Sequence, residues 1–103
     1  MKVVFMGTPD FAIPSLKALC EAGYDVSAVF TQTDKPKGRG KVLTPSPVKE
    51  YALQAGLPVY QPVSLKKELD TYLPVLESIA PDFIVVVAYG KILPPQVLGV
   101  PKF

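Results

Sequence analysis

KVVFMGTPDFAIPSLKALCEAGYDVSAVFTQ, Lys2 to Gln32, is the stretch that decides the fold. Its first part, Lys2 to Met6, is short, apolar and rich in β-branched residues, and Gly7 closes it; that is the pattern of a buried strand. In the following FAIPSLKALCEAG, residues Phe11, Leu16, Leu19 and Cys20 recur at helical spacing, and Gly23 suits the position just past a helix C-terminus. Pro14 fits only in a first turn, so the helix should begin near Phe11 to Ile13, with Asp10 as its cap. Asp25 to Gln32 (DVSAVFTQ) then reads as a second strand. Strand, helix, strand is the repeating unit of a parallel α/β sheet.

Working outward, Ser46 is placed to cap a helix with Pro47 at its first position. Val48, Tyr51, Ala52 and Ala55 give that helix an apolar face, and Gly56 ends it. Pro58 to Tyr60 is a brief third strand. Ser64 is expected to cap a helix through LKKELDTYL, and Pro74 to divide that helical region in two. Asp82 to Ala88 (DFIVVVA) is a fourth strand, and Ile92 to Pro94 lead to a last short helix. Four strands alternating with helices predict an α/β fold with a parallel sheet in the order 3-2-1-4. The order reverses between strands 1 and 4, and ligands of such sheets bind beyond the strand C-termini at that crevice. Gly7 to Phe11 and Tyr89 to Leu93 are the segments that meet there.

Composition narrows the function. The chain has 103 residues, 49% hydrophobic and 19% charged, which suits one folded domain or part of one. It contains no histidine and one cysteine, Cys20, which rules out an internal disulfide and argues against a zinc site; no metal ligands are assigned. The apolar start MKVVFM is too short for a secretory signal, and no apolar run reaches the ~20 residues of a membrane span. A cytoplasmic protein is expected. No catalytic residue can be assigned: serines and threonines stand without a histidine, and Asp10 is the single carboxylate near the crevice.

The segment TDKPKGRGKVLTPSP, Thr33 to Pro47, concentrates the charge. Asp34 to Lys41 holds four cations against one acid, while the rest of the chain has seven cations and eight acids. Localised basicity points to an anionic partner. The segment is expected to be a long structureless loop with Arg39, between Gly38 and Gly40, as its best phosphate ligand, because a guanidinium offers paired donors. Four phosphate contacts predict a log–log salt slope of about −3 to −4, from roughly 0.7 to 0.9 per contact. The turns GTPDF and AYGKIL allow either ligand contacts or plain structural turns. GTPDF lacks the G-x-G-x-x-G of dinucleotide binding, which disfavours a nicotinamide enzyme.

Phe83 to Ala88 is apolar on both faces, as in an interior parallel strand, yet would be last on its side of the sheet. Its edge would be open to pairing, so self-association through the fourth strand is expected, or a further strand from a longer protein. The chain reads as the amino-terminal part of a longer protein.

GTPDFA (Gly7–Ala12), DKPKGRGKVLTPSPVK (Asp34–Lys49), GLPVYQPVSL (Gly56–Leu65) and VVVAYGKILP (Val85–Pro94) together resemble the start of the methionyl-tRNA formyltransferase family of folate-dependent enzymes. The resemblance implies a Rossmann-like formyltransferase domain of which residues 1–103 are the amino-terminal part, its remainder and a carboxy-terminal barrel lying outside the chain. It implies transfer of a formyl group from 10-formyltetrahydrofolate to the amino group of methionyl initiator tRNA, a step of translation initiation. It assigns tRNA contact to Arg39, and after it to Lys37, Lys41 and Lys35. It assigns the folate pocket to Tyr89, Gly90, Lys91, Ile92 and Leu93, mainly through backbone atoms; Gly7, Thr8, Pro9 and Phe11 are expected as an active-site loop from their place at the crevice. The family's catalytic asparagine, histidine and aspartate have no counterpart in residues 1–103, so the chain alone is expected to be inactive. Another folate-dependent formyltransferase acting on an amino sugar or nucleotide, or a non-catalytic RNA-binding module, remains the alternative.

Overall fold

The computed structural model describes residues 1–37, 40 and 42–101. Strands β1 (Lys2–Gly7), β2 (Asp25–Phe30), β3 (Lys35–Lys37), β4 (Val42–Thr44), β5 (Val59–Tyr60) and β6 (Phe83–Val87) are interleaved with helices α1 (Ile13–Glu21), α2 (Pro47–Gln54), α3 (Leu69–Ile79) and α4 (Pro95–Leu98). The main sheet runs β5-β2-β1-β6, all parallel. This is the order expected from sequence, with the numbering advanced by two extra strands within the basic segment.

Each sheet face buries one set of alternating side chains. Val4, Met6, Ala28 and Phe30 pack with Leu65, Leu76, Tyr89 and Val97 beneath α3 and α4. Phe5, Val26 and Val29 pack with Ala12, Leu16, Val48 and Ala52 beneath α1 and α2. Val26 and Val29 share a face, which strict alternation forbids. A register shift between Val3 and Val4 explains it: Val3 pairs with Val26 but Val4 with Ala28, leaving Ser27 as the extra residue of a β-bulge. Phe30, Tyr60 and Tyr72 form an aromatic cluster at the C-terminal ends of β2 and β5, with Phe30 stacked on Tyr60 at 5.2 Å between centroids.

Several local expectations are corrected. The basic segment is not a structureless loop: β3 and β4 form an antiparallel hairpin, pairing Lys35 with Thr44, Pro36 with Leu43 and Lys37 with Val42. Pro36 hid the strand in the sequence, because proline marks only edges of sheets. Asp10 does not cap through its side chain; a 3-10 turn at Asp10–Ala12 leads into α1, and the Ala12 N–H donates to the Pro9 carbonyl at 3.0 Å. Pro74 does not split α3, which runs unbroken through it. The helix survives because Leu69, Tyr72, Leu76 and Ile79 pack against the core, and the carbonyl four residues before Pro74 belongs to solvent-exposed Asp70. Ser64 Oγ does accept from the Lys67 N–H, at 3.3 Å, but around a turn; regular helix starts only at Leu69. Ser46 caps α2 as expected, accepting from the Lys49 N–H at 3.1 Å.

Among the described residues β6 pairs with β1 alone in the sheet, and Val86 is 44% exposed on it. Such an edge recruits other strands. The chain on its own is expected to sediment as concentration-dependent oligomers, and a charged Val86→Lys should shift it toward monomer. A monomer at high concentration with the native valine contradicts this.

Candidate functional site

The crevice forms where β1, β2 and β6 end. Thr8 Oγ1 donates to the Tyr89 carbonyl at 2.9 Å, and Gln32 Nε2 donates to the same oxygen at 3.0 Å. The Gln32 N–H lies 3.4 Å from Thr8 Oγ1, so three strand exits are tied by one small network. The first turn of α2 joins it from below, its Val48 N–H reaching the Thr8 carbonyl at 3.4 Å. Gln32 was missed in the sequence because a lone glutamine after a strand carries no signal of its own.

Two glycines allow this closeness. Gly7 is buried between β1 and β6, where an added Cβ would stand 2.8 Å from both the Val87 carbonyl oxygen and the Phe5 ring. Gly90 adopts φ +83°, and an added Cβ there would run into the Gln32 side-chain amide. Ala88, at φ 51°, is also left-handed, a conformation that costs about 1–2 kcal/mol in a residue with a Cβ. Together these bends aim the Tyr89 carbonyl at the crevice and its ring into the core.

Tyr89 is therefore a core residue by its side chain, 2% exposed, and its hydroxyl has no hydrogen-bond partner among the described residues. Burial, and then Tyr72 and Glu68, push its pKa up from 10.0 to about 12. The phenol stays neutral in the fold but ionises near pH 10 when unfolded. The stability tied to it is complete below pH 10 and lost as pH rises toward 12. Tyr89→Phe is expected to raise stability by about 1 kcal/mol, since an orphaned buried hydroxyl is removed, and to flatten the alkaline loss between pH 10 and 12. Urea titrations of both forms at pH 8 and 11 read this.

Of the other residues assigned to the site, Thr8 and Pro9 line a cleft of about 440 Å³ with Asp10, Gln32, Lys35 and Ser46, between the crevice and the hairpin base. Phe11 is 66% exposed beside it. Gly90, Lys91 and Ile92 line a separate cleft of about 590 Å³ with Val63, Leu65, Lys66 and Lys67. Leu93 packs against the core beneath α3 and α4. Lys35 is exposed at the start of the hairpin. Arg39, Lys41 and the Lys37 side chain lie outside the described residues.

The hairpin is held at both ends. Thr31 Oγ1 and Ser46 Oγ share a buried hydrogen bond of 2.6 Å. Asp34 accepts from Gln61 Nε2 at 2.8 Å and from Lys49 Nζ at 3.1 and 3.2 Å. Gln61 Nε2 also donates to the Gln32 carbonyl at 3.0 Å. The Gln61 hydrogen bond first, and Lys49 after it, hold the Asp34 carboxyl below its ordinary value of 3.8. Its contribution is thus present above that ordinary value and lost only as pH falls through the lower folded one, so the cluster is intact at neutral pH.

A parallel α/β sheet of this order places a ligand crevice beyond its strand C-termini, at the switch point between β1 and β6. The family model described as formyl transferase matches residues 1–103, and the chain belongs to that family. It is 61% identical over 103 residues to the methionyl-tRNA formyltransferase of Clostridium novyi (strain NT), covering 100% of this chain and 33% of that protein. It is 60% identical over the same length to that of Clostridium perfringens (strain 13 / Type A), and 56% to that of Pelotomaculum thermopropionicum. The chain spans about a third of the length of these curated relatives.

Proposed function

We propose that the chain is the amino-terminal part of the catalytic domain of an enzyme that moves a formyl group from 10-formyltetrahydrofolate to the amino group of methionyl initiator tRNA. The observation that carries this reading is the cationic hairpin standing at the C-terminal rim of the sheet, beside the Thr8–Gln32–Tyr89 crevice. The relatives' names suggest the substrate; the hairpin supplies a reason for it. The segment's sequence carries Lys35, Lys37, Arg39 and Lys41, a cationic complement to the phosphate backbone of an RNA end, which is read by shape and charge.

The residues present also fit the donor. 10-Formyltetrahydrofolate supplies the activated formyl carbon; its body is a flat heterocycle and its tail carries carboxylates. The cleft at Gly90 to Ile92 has the bare backbone of Gly90 and the apolar Val63, Leu65 and Ile92 for the first, and Lys66, Lys67 and Lys91 for the second. This chain's part in the reaction is binding and orientation. Thr8 and Gln32 fix the Tyr89 carbonyl, which sets the path of the Gly90 turn, and the hairpin brings the acceptor end toward the same rim. Stabilising the tetrahedral oxyanion and managing the amine's protons fall to groups outside residues 1–103.

The test is a formylation assay on the full-length protein with 10-formyltetrahydrofolate and, separately, methionyl initiator tRNA and amino-sugar nucleotides. Formylated methionyl-tRNA is the expected product. Formylation of the sugar alone reassigns the chain within its family, and tRNA binding without formyl transfer makes it an RNA-binding module.

A further inference from the structure

We propose that Asp34, Lys49 and Gln61 form a latch that sets the direction of the cationic hairpin, with Asp34 retained in a basic arm because it anchors that arm. A two-stranded hairpin of three residues per strand is marginal by itself in water. This one is exposed: Val42 and Leu43 are 66% and 65% accessible, so little apolar burial holds it against the sheet. Its fixed points are the polar contacts at its two ends. On the β4 side, Ser46 is pinned to Thr31. On the β3 side, Asp34 is the residue immediately before the strand, and it takes three hydrogen bonds from two elements, Lys49 on α2 and Gln61 just after β5.

Charge alone gives the opposite expectation for Asp34. An acid in an RNA-binding arm repels phosphate, and removing it should tighten binding. The geometry resolves the conflict: Lys49 Nζ sits 3.1 Å from the carboxylate and neutralises it locally, so the acid's charge is spent within the protein. Gln61 adds direction. Its one amide nitrogen donates both to Asp34 and to the Gln32 carbonyl, and Gln32 holds the Tyr89 carbonyl in turn. The arm's base is thereby referenced to the crevice itself. Asp34, Lys49 and Gln61 are positioning residues and touch no reacting atom.

The consequence for tRNA rests on the function proposed above; the latch itself does not, and the experiment separates the two. Asp34→Ala, Asp34→Asn and Gln61→Leu are made in the full-length protein. Amide hydrogen exchange is followed without any ligand, and KM for methionyl-tRNA and for the folate donor is measured alongside. In Asp34→Ala and Gln61→Leu, exchange at β3 and β4 is expected to rise about tenfold while β1 and β2 keep their protection. KM for tRNA is expected to rise about five- to tenfold in both, with KM for the donor unchanged in Asp34→Ala. Asp34→Asn, whose amide oxygen still accepts from Gln61, should recover part of both effects. Unchanged exchange in the hairpin overturns the latch, whatever the substrate proves to be. So does an equal rise over β1 and β2, which makes the cluster a general support of the sheet. Tighter tRNA binding by Asp34→Ala overturns the consequence for tRNA, because simple charge removal then accounts for the residue's effect on binding. A looser hairpin without any tRNA effect upholds the latch and overturns only its consequence for tRNA.

Discussion

Gly7→Ala should cost the fold about 2–3 kcal/mol and lower its melting temperature by about 10–20 °C. The new Cβ would meet the Val87 carbonyl oxygen and the Phe5 ring at 2.8 Å each, and the Ala12 Cβ at 3.2 Å. The first of these is backbone in the neighbouring strand, so it cannot rotate away. Relief requires β1 and β6 to separate at Gly7–Val87, the last pair of their ladder. Domains of this size hold roughly 0.05–0.15 kcal/mol per residue in total, so the loss is a large share of the whole. The same displacement carries Thr8 away from the Tyr89 carbonyl, and donor affinity should fall with stability. Gly99→Ala is the control: its nearest neighbours stand at 3.8 Å, and its effect should be within about 0.5 kcal/mol. Thermal melts of the two variants decide it; equal melting temperatures would mean that β1 and β6 yield freely.

Arg39→Ala in the full-length protein should weaken use of methionyl-tRNA by about 10- to 100-fold, while KM for the folate donor stays within a factor of two. The magnitude follows from one charge-assisted contact of about 1.5–3 kcal/mol and about 1.4 kcal/mol per tenfold. The salt slope of tRNA binding should become shallower by about one unit, because one phosphate contact is lost. Arg39→Lys keeps the charge but not the paired donors, and should recover the slope before it recovers the affinity. An equal loss of donor and tRNA affinity counts against the arm's role. The hairpin's own hydrogen exchange should not change in Arg39→Ala, in contrast to the latch variants.

The crevice residues were legible to different depths. Gly7 and Gly90 stood out because a glycine at a strand exit marks a place where backbone must come close or turn left. Lys35, Lys37, Arg39 and Lys41 stood out by charge density. Gln32, Lys49 and Gln61 did not, because nothing about their neighbours distinguishes them from solvated side chains. Their roles come from partners 15 to 57 positions away, as in the Lys49–Asp34 and Gln32–Tyr89 contacts.

The sequence by itself determined the alternation of strands and helices, the parallel order of the main sheet and the place of its crevice. Hydrophobic periodicity and proline and glycine positions are local signals, and one parallel topology satisfies them. Only the tertiary structure decided the bulge at Ser27, the continuity of α3 through Pro74, and the folding of the basic segment into a hairpin tied down at Asp34 and Ser46. Each of those is settled by which distant groups can bury or hydrogen-bond together, and that free energy exceeds the local preference the residues express alone.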